Sequence, residues 1–258
     1  MRSTASFGTV TLLFFFTVWT TVTSLVASFS APAAPNAIDE SVQKQILKEL
    51  CQIENDHAVK VLYACESGSR AWGFPSADSD YDVRFLYVHP TEWYLSVDLE
   101  QPDRGVIEIP IHDNLDIGGW DLRKALHLFR KSNPPLLEWL GSPIIYSERY
   151  SATERMRKQA PMTYSPIACM YHYFSMAKQN YRGYLQGNRV RTKKYFYVLR
   201  PLLAVIWLEQ GMGVVPTEIH VLIEGTLHDG ELKRIIYALI EEKRKTIWRG
   251  NGGWPGHT

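Results

Sequence analysis

Two aspartates two positions apart, Asp80 and Asp82, stand at the head of the apolar run 81–88. Side chains alternate along a strand, so Asp80, Asp82 and Arg84 are expected on one face and Tyr81, Val83 and Phe85 on the other. Carboxylates set side by side raise each other's pKa unless a cation comes between them. A divalent cation does this most simply, and hard oxygen ligands select Mg²⁺ or Mn²⁺. One apolar run earlier, residues 59–64 are expected to form a buried strand leading into the turn Gly68-Ser69. Glycine lets the main chain approach a ligand closely, and free N–H groups after such a turn can hold phosphate oxygens. An acid pair for a metal and a turn for a phosphate together describe metal-assisted phosphoryl or nucleotidyl transfer. Asp-Ser-Asp alone is common surface-turn chemistry; the Gly-Ser turn one strand earlier is what points to a site.

Gly68-Ser69, ten intervening residues and then Asp80-Tyr81-Asp82-Val83 resemble the motif of the DNA polymerase beta nucleotidyltransferase superfamily. More narrowly, Gly68-Ser-Arg-Ala-Trp-Gly-Phe74 with Ser79-Asp-Tyr-Asp-Val-Arg-Phe85 resembles the predicted nucleotidyltransferases of its RNA repair pathway branch. Asp116-Ile-Gly-Gly-Trp-Asp121, Ser132-Asn-Pro134, Glu138-Trp-Leu140 and Lys194-Tyr-Phe-Tyr-Val-Leu-Arg-Pro201 fit the same family, so the resemblance spans roughly residues 42–249. It implies an α+β fold, with a small mixed polymerase beta-like sheet and flanking helices, followed by an α-helical C-terminal domain and a cleft between the two. It also implies Mg²⁺-dependent transfer of a nucleoside monophosphate from an NTP to an acceptor hydroxyl, with RNA as the acceptor and pyrophosphate released.

A two-metal site of this kind uses three carboxylates, two on one strand and a third on its neighbour. Asp80 and Asp82 fill the first two places. Asp116 is the first choice for the third, Glu108, which alternates with Ile107 and Ile109, is the second, and Asp121, better read as a helix-start residue, comes last. Ser69 would meet the β- or γ-phosphate at the Gly68 bend, and Arg70 and Arg84 are either phosphate neutralisers or structural ion pairs. Glu66 reads as a strand-end residue turned to water or as support behind the site, and Trp72 and Phe74 as cover for the core under the turn. By resemblance, Lys194 and Arg200 face the cleft and hold the triphosphate or the acceptor strand. The rival reading keeps the fold without the catalysis, as a nucleotide- or RNA-binding protein.

The elements that must position these groups can be followed along the chain. Residues 39–51 show helical periodicity, with Val42, Ile46, Leu47 and Leu50 on one face and Asp39 or Ser41 as the cap. Residues 93–99 and 106–111 read as a hairpin across the turn 101–105, with Pro110 ending its second strand or placing it at an edge. Residues 113–117 read as a further short strand, 120–130 as a helix stopped by Asn133-Pro-Pro, and 136–140 as another helical turn. From 151 onward helices are expected at 166–184, 195–210 and 232–248, with Ile167, Met170, Tyr171, Phe174, Ala177 and Tyr181 forming the stripe of the first. Pro201 kinks the second or delays its start. Six cations and no acid between Arg182 and Arg200, with aromatics beside them, suit either a phosphate backbone with stacked bases or a solvated loop.

Composition narrows the choice. The chain has 258 residues and a net charge of +1, so its total charge demands neither nucleic acid nor membrane. Cys51, Cys65 and Cys169 are odd in number and widely spaced, against a disulfide framework or structural zinc; Cys51 and Cys65 read as buried. No Gly-x-x-x-x-Gly-Lys-Ser/Thr occurs, so a P-loop is not expected. Residues 10–26 are apolar and nearly uncharged and are followed by small residues, as in a secretory signal peptide, with a short signal anchor as the alternative. Ala-Ser-Phe-Ser-Ala-Pro at 27–32 resembles the cleavage motif of bipartite leaders that target algal secondary plastids. Four stretches follow: a leader at 1–37, a nucleotidyltransferase core at 38–150, a helical domain at 151–249 and a tail at 250–258. After leader removal no stable membrane association is expected.

Overall fold

The computed structural model of the chain describes residues 38–95, 105–186 and 190–245. The leader, the turn at 101–104, Arg189 and the tail fall outside the described residues. Ten helices and five strands are described in the order α1 (Glu40–Asp56), β1 (Lys60–Glu66), α2 (Gly68–Ala71), β2 (Tyr81–Val88), α3 (Thr91–Tyr94), β3 (Val106–His112), β4 (Leu115–Asp121), α4 (Leu122–Arg130), α5 (Pro134–Leu140), β5 (Ile145–Glu148), α6 (Ala152–Thr163), α7 (Pro166–Tyr184), α8 (Thr192–Glu209), α9 (Ile219–Thr226) and α10 (Glu231–Lys245). The expected α+β architecture, a small mixed sheet followed by helices, is present. Among the described residues no helix is long and apolar enough to cross a membrane.

The sheet has the order β3-β4-β2-β1-β5, and only the β2–β4 pair is parallel. Central β1 is buried at every position after Lys60. The odd-numbered residues of β2, Val83, Phe85 and Tyr87, pack with Ile46, Leu50 and Ile53 of α1. Leu86, from the opposite face, joins Tyr63, Cys65, Leu136, Trp139 and Met156 beneath α4, α5 and α6. Asp82 and Arg84 share that second face by alternation, beyond the cover that these helices provide. Asp39 caps α1 by accepting from the Ser41 N–H, as expected. Leu47 is 37 % exposed and Ile53 takes its place in the core, while Cys51 is exposed rather than buried, being on the outer side of α1.

Of the first arm of the hairpin expected at 93–99, residues 96–99 lie outside the described residues. Residues Thr91–Tyr94 form a short helix, and β3 turns into β4 through Asp113 and Asn114, whose φ values of 47° and 62° give the two-residue turn that matches sheet twist. Strand β3 is an edge, as Pro110 requires. Asp121 closes β4 and caps α4, accepting from the Arg123 N–H and from the Tyr94 hydroxyl. Ile145–Glu148, for which no strand was expected, pair with β1 as β5.

Helices α7–α10 share the largest apolar cluster with Phe74 and Leu137 from the sheet half. The inner face of α7 is Cys169, Tyr173 and Ala177, whereas Ile167 and Tyr171 are 66 % and 57 % exposed. Tyr173 goes inside because its hydroxyl finds a carboxylate there, Oε1 of Glu138 at 2.9 Å. Pro201 sits within α8 without ending it. Lacking an N–H, it leaves the Tyr197 carbonyl one turn earlier without its helical donor, and Asn180 of α7 supplies one through Nδ2 at 2.9 Å. Replacing Asn180 by Ala should therefore destabilise the fold by about 1–2 kcal/mol. In a Pro201→Ala background, which restores the main-chain donor, the loss should shrink; urea unfolding of the four proteins measures that coupling.

Candidate active site

The site begins with registry. Parallel pairing places Asp82 of β2 directly beside Asp116 of β4, with Arg84 beside Gly118 and Phe85 beside Gly119. The two glycines of the Asp-Ile-Gly-Gly-Trp block thereby acquire separate reasons. A Cβ on Gly119 would lie 2.3 Å from the Phe85 ring, and one on Gly118 would lie 3.2 Å from Nη1 of Arg84. Arg84 thus lies across bare backbone and reaches Asp116 with both guanidinium nitrogens, Nη1 to Oδ1 at 3.0 Å and Nη2 to Oδ2 at 2.8 Å. Its Nη2 is also 3.5 Å from Asp82. Of its two expected roles, the ion pair is the one seen.

Burial pushes the Asp82 carboxyl above its usual value, the carboxylates of Asp116 and Asp80 push it the same way, and Arg84 opposes them. The other two expected metal-site acids thus both act on Asp82, although Asp80 is exposed and precedes β2. Glu108 stands on the same face, opposite Gly118, one strand further out. Asp121 is on the other face and is occupied as a cap.

Gly68 has φ of +59°, and a Cβ built on it would sit 2.0 Å from Oδ2 of Asp82. No other residue leaves room for that carboxylate against the bend. The Ser67 N–H donates to the Asp82 carbonyl at 2.8 Å, tying the turn to β2. Among the described residues the Gly68 and Ser69 N–H groups and the Ser69 hydroxyl have no hydrogen-bond partner. Arg70 is spent on the loop before β2, donating to the carbonyls of Ser79 at 2.8 Å and Asp80 at 3.2 Å while stacking on Tyr81.

The helical half closes over this end of the sheet. Tyr197 of α8 is near enough for Asp82 and Asp80 to add to the burial that raises its hydroxyl's pKa. Lys194, one turn away, holds its ammonium 3.6 Å from the centre of the Tyr184 ring and 4.8 Å from that of Tyr197. Arg200 does not face the cleft as expected. It is 2 % exposed and its donors are taken by Glu138 at 2.7 Å and by the Thr217 and Pro216 carbonyls, so it joins α8 to α5. From α10, Lys243 reaches back to the hydroxyls of Ser76 and Ser79, both at 2.9 Å, and Arg244 to the Gly73 carbonyl at 2.7 Å. Residues far apart in sequence thus fix the loop that carries Asp80.

One group behind the site had two readings in the sequence. Glu66, read either as turned to water or as support behind the site, is fully buried at the end of β1. Its Oε1 accepts from the Asp82 N–H at 2.9 Å and its Oε2 from the Tyr146 hydroxyl, so it fixes the backbone of the central acid. A charged residue ending an apolar strand just before Gly68 was the available hint. Burial raises the Glu66 carboxyl from 4.5 to about 7. A group bound more tightly to its proton in the folded state favours folding below its unfolded pKa and loses that advantage as pH rises through the folded value. About 3 kcal/mol should therefore be lost between pH 4.5 and 7. Glu66→Gln, which keeps the shape and cannot ionise, should gain on the parent protein across that window in urea unfolding. A difference that stays flat with pH would contradict the assignment.

The donors fit Mg²⁺ in kind, being hard carboxylate oxygens gathered around Asp82. Arg84 now stands where a cation is called for, and among the described residues no group of three or more His, Cys, Asp or Glu is close enough to hold a metal as it stands. The comparisons with known proteins bear on the family. Over 204 residues the chain is 52% identical to the uncharacterized protein YcgL of Bacillus subtilis (strain 168), covering 79% of this chain and 77% of that protein. A crystal structure of a nucleotidyltransferase-like protein from Exiguobacterium sibiricum 255-15 overlaps 77% of this chain and 74% of its own, at 15% identity and a TM-score of 0.32, too slight a similarity to bear on the fold. Residues 42–251 match the RNA repair pathway DNA polymerase beta family, and the chain belongs to that family.

Proposed function

We propose that the protein is a Mg²⁺-dependent nucleotidyltransferase that moves a nucleoside monophosphate from an NTP to an acceptor hydroxyl, with RNA as the acceptor. The observation that carries this reading is the pair Asp82–Asp116, set side by side by parallel registry and pressed against the Gly68 bend. Membership of the family supports nucleotidyl transfer in general; the metal and the acceptor are our inference. Asp82 and Asp116 would hold Mg²⁺, with Asp80 turning in from its loop. Bound there, the metal would neutralise the triphosphate and polarise the α-phosphorus.

The chain's own groups do the rest. The free N–H groups at Gly68 and Ser69 and the Ser69 hydroxyl receive phosphate oxygens. Arg84, released from Asp116, remains at hand as a counter-charge. The acceptor oxygen forms a bond to the α-phosphorus, the bond from that phosphorus to the β-phosphate bridging oxygen breaks, and pyrophosphate departs. The acceptor's proton passes to the Asp116 carboxylate and from it to water. Glu66 and the Lys243–serine contacts hold the acids in place, which is where positioning enters catalysis.

A second reading has one observation in its favour. Arg84 already neutralises Asp82 and Asp116, as it would in a nucleotide- or RNA-binding relative that has no need of a metal. Transfer from labelled NTP to RNA in the presence of Mg²⁺ separates the two. Asp82→Asn and Asp116→Asn should each lower transfer by a factor on the order of 10³, as for groups that act only on the reacting centre. Gly68→Ala, whose methyl would collide with Asp82, should do the same without changing NTP hydrolysis by contaminants. Undiminished transfer in the two acid variants would favour a different site.

A further inference from the structure

Beside Asp116, on the side away from Gly68, a cavity of about 640 Å³ opens among Arg84, Glu108, Asp116, Gly118, Trp120 and Trp139. A triphosphate seated at the Gly68 bend does not call for it. Its charge, its walls and its floor each say something about what would enter.

The charge is negative. Glu108 is exposed on β3 and has no ion pair or hydrogen bond among the described residues. Asp116 adds a second carboxylate, and in the metal-free protein, the state in which RNA binding is tested below, the one guanidinium lining the cavity, that of Arg84, is paired with Asp116 and Asp82. A phosphate would be repelled here, whereas an uncharged ring bearing hydroxyl donors would find acceptors. One wall is aromatic and fixed. Trp120 is stacked on Trp139 with ring centres 3.8 Å apart, and Trp139 is only 6 % exposed. An indole already immobilised loses little entropy when a base stacks beside it. The floor at Gly118 is covered by the Arg84 side chain, which lies where a side chain of residue 118 would be. Lys124, its ammonium 5.9 Å from the centre of the Trp120 ring, stands beside this wall and suits a phosphate further along a strand.

We propose that this cavity is the acceptor subsite and takes the terminal nucleoside of an RNA strand. The base lies along Trp120, a ribose hydroxyl donates to Glu108, and the attacking hydroxyl sits beside Asp116. The proposal rests on the nucleotidyl-transfer reading, but its test does not require turnover. The probe is a short fluorescent RNA with a free 3′-hydroxyl, its binding followed by anisotropy, with NTP binding followed separately by calorimetry. Trp120→Ala should weaken RNA-end binding at least tenfold and Glu108→Lys severalfold or more, and both should leave the NTP dissociation constant within twofold. A 3′-phosphorylated RNA should bind less well than the 3′-hydroxyl form to the parent protein and regain its hold on Glu108→Lys, whose exposed edge position keeps the fold intact if Trp120→Ala does not fold. The proposal is overturned if Glu108→Lys neither weakens the hydroxyl end nor tolerates the phosphate end, or if NTP binding falls in step with RNA binding. Loss of transfer in Asp82→Asn reports on the nucleotidyl-transfer reading alone, so the two can fail separately.

Discussion

Two like charges on neighbouring parallel strands cannot be left alone, and the molecule is arranged around that constraint. Registry puts Asp82 and Asp116 side by side. Each would drive the other toward its neutral form without a cation between them. In the protein by itself that cation is Arg84, and the route by which it arrives explains Gly118, over which its side chain passes. Gly68 matters for the same reason from the other side, since the Asp82 carboxylate occupies the space of a missing Cβ. Catalysis on this account exchanges one counter-cation for another. Under the proposed function, the acids held against an arginine would be yielded to a metal arriving with its nucleotide.

Around this pair the fold supplies stiffness. Glu66 grips the Asp82 backbone from a fully buried position and is itself held by Tyr146 of β5, so three strands converge on one peptide group. The loop before β2 is held by Arg70 from the turn and by Lys243 and Arg244 from the last described helix. Burial, together with the positive charge of Lys193 and Arg70, lowers the Lys243 ammonium to about 8. That a cation is kept in so poor a place argues that its grip on Ser76 and Ser79 matters to the site. The buried Arg200–Glu138 pair, with Trp72 against it, joins the two halves, so the helical part frames the cleft.

Much of this was legible in the residues because it depends on short spacings. The strand carrying Asp82, the Gly68 bend and the bounds of α7 all follow from local turn chemistry, alternation or periodicity. What was hidden depends on long-range pairing. No spacing shows that Arg84 will reach across a strand to Asp116, or that Asn180 will replace the donor that Pro201 lacks. Arg200 looked like a cleft residue because nothing nearby in sequence shows Glu138 and the Thr217 carbonyl waiting for it. At Trp93 the residue types cannot tell the short helix Thr91–Tyr94 from the start of a strand, and the turn at Asp113-Asn114 lacks the usual glycine. The stripe expected on α7 holds at Ala177 but was centred on Met170 and Phe174 rather than on their buried neighbours Cys169 and Tyr173, because Tyr173 counts as half-polar until its partner is known.

The account stands or falls on whether the Asp82–Asp116 pair gives up Arg84 for a metal–nucleotide complex. Calorimetric titration of a non-hydrolysable NTP with and without Mg²⁺, on the parent protein and on the Asp82→Asn/Asp116→Asn double variant, asks this directly. The account predicts binding that needs Mg²⁺ and disappears in the double variant. Nucleotide binding that is indifferent to Mg²⁺ and survives the loss of both carboxylates would contradict it.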